Sequence, residues 1–424
     1  MVQLRQSTAW GIFALGGAIA TGLAVTTRTP PSVSSLPASG RELDSPAVAS
    51  SSAGTPSFLV VAGGGAPRYN EIALEKNVHY FQRTLDHQGW EAAIATLFFA
   101  NGNDGQATVR YLDPFGRERF KVPEMTGLTG AATAPNVQAW LDNYPQTAQG
   151  ANDCPAFMYF TGHGALNADN DDNNSLILWE EALLSVQALA QTLDQWPADI
   201  PFVTMMAQCY AGSFANVIYE QGDPAQPVAL QSRCGFFSTV KSRPSVGCTP
   251  LVNEADYRDY SSSFFAGLSG RDRLGQAVES ADYDDNGTIS FAEAHAFAKV
   301  DGETPDWPIS TSEAWLQRQV TTAEQRRLLT QPMQVWLDHA RPEQRYVIAT
   351  LIAKLGYRPQ EAFDLAPVPQ AHLMSPPQEI LTAYYMRLRM ELINVAVAAK
   401  LQTEADEATL KTLNQLLDCE AGSW

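Results

Sequence analysis

Basic residues are scarce in this chain. Its 424 residues carry 28 Lys and Arg against 46 Asp and Glu, a formal charge of -18. That balance excludes a nucleic-acid surface and docking on an anionic membrane face. Cysteine is scarce too, and five in this length make no disulfide scaffold. Cys234 and Cys248 flank one loop and are a candidate pair if the protein is exported. No internal repeat is visible. Large apolar residues are almost missing from residues 26–56, where Thr, Ser, Pro and Ala dominate. Such a stretch cannot bury a core and reads as a disordered linker. The length itself allows two or three domains.

Residues 1–25 read as a targeting segment. Arg5 supplies a positive start, and residues 9–25 form an uncharged run of apolar and small residues. That run suits a cleaved signal peptide or a retained membrane anchor. The expected location is periplasmic, extracellular or membrane-anchored.

Two apolar runs organise the rest. Phe157-Met158-Tyr159-Phe160 leads into Thr161-Gly162-His163-Gly164, and Phe202-Val203-Thr204-Met205-Met206-Ala207 leads into Gln208-Cys209-Tyr210-Ala211-Gly212-Ser213. Each reads as a buried strand closed by a turn. About 40 residues separate them, enough for a crossover helix, predicted over 180–196. Parallel strands so joined end at one edge of the sheet, where open α/β sheets place their sites. His163 and Cys209 would meet there as base and nucleophile. A helix opening at Gly212-Ser213 would favour a thiolate.

These two motifs resemble those of the caspase-like clan of cysteine peptidases, nearest its legumain and GPI-transamidase branch. Val60-Val61-Ala62-Gly63-Gly64-Gly65, followed by Tyr69-Asn70, is similar to the first strand and Asn-bearing turn of legumains. The resemblance covers residues 57–305. It implies a three-layer α/β domain with a mostly parallel sheet, and a helical region over 306–424. It also implies Cys209 as nucleophile, His163 as base, Asn70 orienting His163, and the amides of Gly164 and Cys209 holding the oxyanion. The strand predicted over 236–240 would pair with substrate, through Ser238 and Thr239. The legumain specificity Arg falls on Ile72, and the metacaspase acid falls on Ala207, so neither pocket carries over.

The remaining elements follow from spacing. A strand is predicted over 58–62, a helix over 70–87, a strand over 92–99 and helices over 135–144 and 259–268. Residues 282–293 fit a twelve-residue calcium loop, with Asp282, Asp284, Asn286, Ser290 and Glu293 as oxygen ligands, Thr288 in the loop and Gly287 at the turn. Helices from Arg271 and from Ser290 would flank it. Residues 169–180 mimic that spacing but read as an acidic surface loop. Helices over 311–329, 333–355 and 377–401 make up the tail, which legumains would use to cap their site.

The function expected is a cysteine endopeptidase acting on protein or peptide through an acyl-enzyme. Calcium is expected to bind, and no organic cofactor is. Transpeptidation at the same site, or a non-catalytic calcium-binding surface protein, are the alternatives.

Overall fold

In the computed structural model, residues 57–91, 95–147, 155–372 and 376–424 are described. The segments expected as a targeting sequence (1–25) and a linker (26–56) lie outside these residues. Eleven strands run in chain order: β1 Ser57–Gly63, β2 Ala95–Phe99, β3 Val109–Leu112, β4 Glu118–Lys121, β5 Leu128–Gly130, β6 Ala156–Ala165, β7 Ser175–Ile177, β8 Leu183–Ser185, β9 Phe202–Ala207, β10 Arg233–Phe237 and β11 Ile309–Ser310. The helices are α1 Ile72–His87, α2 Ala134–Thr147, α3 Val186–Leu193, α4 Tyr260–Ser269, α5 Phe291–Asp301, α6 Thr311–Arg318, α7 Thr322–Leu328, α8 Met333–His339, α9 Pro342–Leu355, α10 Gln378–Glu404 and α11 Glu407–Glu420.

The main sheet has the order β11-β10-β9-β6-β1-β2-β5. Along this order all pairs are parallel except β10 with β11, and β7 and β8 join at the end of β6 as antiparallel strands. Parallel strands covered on both faces need apolar residues on both, which is why these runs do not alternate. Leu59, Val61, Met158 and Phe160 face one core with α2 and α3. Phe58, Val60, Phe157 and Tyr159 face a second core with α1, α4 and α5. The fold is therefore α/β, with helices on both sides of a mostly parallel sheet and a helical C-terminal region.

Several elements depart from the sequence expectation. The crossover helix is α3 alone, starting at the Ser185 cap. Glu180 and Glu181 adopt left-handed backbone (φ 65° and 59°) between β7 and β8, and β8 takes up Leu183–Ser185. The turn expected at 161–164 is strand: β6 runs on to Ala165 and pairs with β7, His163 opposite Ile177. After Cys209 a 3-10 helix, Ala211–Ile218, replaces the expected helix. Thr321 caps α7 and Pro342 starts α9, so two of the long tail helices are each broken in two.

The tail is knit into the same compact unit as the sheet. Trp424 sits edge-on to Phe58, Phe81 and Phe157, at centroid distances of 5.1, 5.7 and 5.1 Å. Cys419 of α11 is bonded to Cys234 of β10, not Cys234 to Cys248 as the loop spacing suggested. The sequence gap of 185 residues hid that pairing. Arg387 of α10 is fully buried and donates to the carbonyls of Lys299, Gly302, Thr304 and Asp306. Lys299 of α5 lies between Glu313 of α6 and Glu391 of α10. No helix among the described residues is long and apolar enough to cross a membrane.

Candidate active site

β6 and β9 are neighbours, with Thr161 paired to Ala207 at the end of their register. His163 and Cys209 each stand two residues past that pair, so the sheet delivers both to one edge. Close approach is made possible by Gly164, where a β-carbon would stand 2.0 Å from the Cys209 carbonyl oxygen. Tyr210 is left-handed (φ 60°) and turns the chain sharply after Cys209.

A strap over residues 243–250 covers Cys209. The Ser245 N–H donates to the Cys209 sulfur (3.3 Å), and the thiol donates to the Ser245 carbonyl (3.6 Å). Asp306 anchors the strap, accepting from the Ser245 hydroxyl (2.8 Å) and the Val246 N–H (3.2 Å). Arg243 stacks over Trp307 at 4.1 Å, and the Tyr210 N–H donates to its carbonyl. At the far end, the carbonyls of Thr249 and Pro250 accept from Ala73 and Leu112. A narrow cavity beneath the strap is lined by Gly162, Cys209, Val246, Cys248 and Asp259.

Asn70 does not orient His163. Its Oδ1 accepts from the Gly64 N–H (3.0 Å) and its amide donates to Thr108, bracing the turn after β1. A β-carbon at Gly64 would stand 2.0 Å from the Tyr69 carbonyl, so this tight turn requires glycine there. Glu71 takes the orienting place. Its Oε2 lies 3.0 Å from His163 Nε2, while Arg110 holds Oε1 at 2.6 Å. The Tyr69 carbonyl also lies 2.9 Å from Nε2.

The third neighbour of the imidazole is Cys248. Its sulfur, a His163 ring nitrogen and a Glu71 oxygen all lie within 4.8 Å of one another. Burial disfavours the imidazolium, but hydrogen bonds and charge from Cys248 and Glu71 outweigh it and push the His163 pKa up to about 11. Burial would raise the Glu71 carboxyl, yet His163 and Arg110 hold it below its ordinary value. Burial raises the Cys209 thiol. Among the described residues, then, the Cys209 thiol bonds to the strap and His163 to Glu71, Tyr69 and Cys248. The Cys209 thiol and the His163 imidazole thus share an edge while each bonds to other partners.

Ser238 and Thr239 lie just past β10 and are fully buried. The Ser238 hydroxyl donates to the Gln208 carbonyl (3.0 Å), and the Thr239 hydroxyl accepts from the Trp307 N–H (3.4 Å). Their side chains brace the Cys209 turn and do not face solvent. The free edge expected of this strand is already paired at Phe236 and Phe237 by β11.

In the 282–293 loop, Asp282 accepts from the N–H groups of Asn286 (3.0 Å) and Gly287 (2.9 Å), and the Asn286 side chain accepts from Thr288 N–H (2.8 Å). Ser290 caps α5, and Glu293 returns to its N–H (2.8 Å) in a capping box. Asp282, Asp284 and Glu293 present oxygens within 4.8 Å of one another. No helix starts at Arg271; residues 270–281 form turns closed by an Arg271–Ala277 bridge, with Gly275 and Gly270 left-handed. The other acidic loop is ion-paired: Lys241 meets Asp171 (2.7 Å) and Asp172 (2.8 Å), and Arg318 also meets Asp172.

Glu71, Arg110, Ser245 and Asp306 were not singled out by sequence, and Cys248 only as a candidate disulfide partner of Cys234. The adjacency of Asn70 and Glu71 was the one local signal, since a one-residue shift decides which side chain faces His163.

No protein-family model matches the chain, and no curated protein matches it. Among solved structures, protein GSU0716 from Geobacter sulfurreducens is similar at 13% identity and a TM-score of 0.32, over 57% of this chain and 88% of that one.

Proposed function

We propose that the chain is a cysteine endopeptidase of the caspase-like, legumain-related kind, held in a resting state by the 243–250 strap. The observation that carries this is the delivery of His163 and Cys209 to one edge of a parallel sheet, with Gly164 against the Cys209 backbone. In the reaction, once the strap has moved and taken Cys248 from the imidazole so that the ring is neutral, His163 takes the Cys209 proton and Sγ attacks the scissile carbonyl. The amides at Gly164 and Cys209 receive the oxyanion. The amine leaves with the proton from His163, and water then releases the acyl group. Glu71 orients the imidazole. Moving the strap is required first, because it occupies the Cys209 sulfur.

A second reading has its own observation: Cys248, not Cys209, adjoins His163. The experiment is peptide cleavage and labelling by a thiol-directed electrophile, read by mass spectrometry. Cys209→Ala and His163→Ala should each abolish cleavage, with the label found on Cys209 in Cys248→Ala protein. Cleavage retained by Cys209→Ala and lost in Cys248→Ala would move the nucleophile to Cys248. Cleavage retained by both would end the cysteine-peptidase reading.

Calcium at Asp282, Asp284, Asn286, Thr288, Ser290 and Glu293 belongs to the same proposal, as a stabilising ion. The Cys234–Cys419 bond supports an exported protein, because such bonds persist in oxidising compartments.

A further inference from the structure

We propose that Glu71, His163 and Cys248 form a binding site for a borderline-soft divalent cation such as zinc. The three residues come from distant parts of the chain: the start of α1, the extended end of β6 and the strap. They bring one oxygen, one nitrogen and one sulfur donor within 4.8 Å of each other. Donors on one zinc stand roughly 3 to 4 Å apart, given bond lengths near 2.0 to 2.3 Å. The Glu71–His163 separation is already 3.0 Å. Small side-chain rotations complete the set.

The chemistry of the donors selects the metal. Thiolate with imidazole and one carboxylate suits zinc and disfavours calcium and magnesium, which take oxygen. Two negative donors neutralise the ion. Arg110 binds the far oxygen of Glu71 and so aims the near one, as a supporting residue does in a built metal site. Cys248 is exposed, so the ion has a path in and a fourth position open to water. Metal entry displaces the protons of the thiol and imidazole to solvent.

A metal here ties the strap to β6 through Cys248. It also takes the imidazole lone pair, so the base cannot accept the Cys209 proton. This consequence, a reversible block, rests on the peptidase reading; the binding itself does not.

The test uses the full chain with cobalt(II) as a spectroscopic stand-in and zinc in competition with a chromophoric chelator. Wild type and Cys209→Ala should each show a thiolate-to-cobalt charge-transfer band and bind zinc alike. Cys248→Ser should lose the band and weaken zinc binding by at least about 100-fold, the upper end for loss of even a supporting residue. Glu71→Gln should weaken binding too. As a check independent of folding of the variants, zinc should protect Cys248 of wild type from alkylation. A band lost in Cys209→Ala but kept in Cys248→Ser overturns the site. So does wild type that shows neither a band nor protection of Cys248. Because Cys209→Ala is inactive under the peptidase reading yet should bind metal, the two ideas fail separately.

Discussion

Glu71 Oε2 and His163 Nε2 stand 3.0 Å apart, joining the N-terminal end of α1 to the end of β6. Asn70, one residue earlier, serves the turn instead. The two neighbours should therefore respond differently to substitution. Glu71→Gln removes a charged hydrogen bond worth about 1.5–3 kcal/mol, so kcat/KM for peptide cleavage should fall roughly ten- to a hundredfold. Asn70→Ala leaves the buried Gly64 N–H unpaired and should cost about 1–3 kcal/mol of stability. Denaturant unfolding and peptide-cleavage kinetics on both variants check this; an Asn70→Ala protein that is as stable as wild type but lacks the proposed activity would contradict it.

Asp306 predicts a pH dependence of stability. Burial raises its carboxyl to about 7 in the folded protein, against an ordinary value of 3.8. Below the ordinary value both states hold the proton, and the contribution is fully present. As pH rises through about 7 the folded state must ionise a buried group, and the contribution is lost. Melting temperature measured between pH 4 and pH 8 should show this decline in wild type and a flatter profile in Asp306→Asn. Parallel profiles would mean that Asp306 does not titrate in this window.

The Cys234–Cys419 bond closes a 185-residue loop. Reduction, or Cys419→Ser, should lower stability by about 2–5 kcal/mol. Trp424→Ala should cost about 3 kcal/mol, the low end for loss of a large aromatic. A chain ended near Glu303 loses both, and should come out insoluble and not activated. Soluble, active truncated protein would show instead that the tail only restrains the site.

Calcium should raise the melting temperature of wild type relative to chelator, by about 2.7 kcal/mol of stability at a hundredfold excess over Kd. Glu293→Gln keeps a side chain able to accept from the Ser290 N–H but loses a charged ligand, and should lose most of the shift. An equal shift in both proteins would place the ion elsewhere.

The central strands and the Gly-His-Gly and Gln-Cys pair were legible because they are local: an apolar run, then small residues. Helix α1 was legible from Leu74, Val78, Phe81 and Leu85 on one face. Less legible was whatever depends on pairing across the chain. The β6 extension needs β7 as a partner, so the sequence around His163 reads as a turn. The calcium-loop motif suggested an incoming helix, but Gly270 caps α4 and the chain turns instead. Cys248 and Asp306 gain their meaning only from the strap, and nothing in their neighbours announces it.

Trp424, which follows α11, packs against the face of the sheet that β1 helps to form. Domains often begin folding while still being made. Here β1 is made long before α11 and Trp424, and its aromatic layer closes only once they have followed. That face of the sheet is thus left uncovered for the interval between the two. Over that interval it stays open to any machinery that handles unfolded polypeptide, and the candidate active-site edge assembles on a sheet whose aromatic layer closes late.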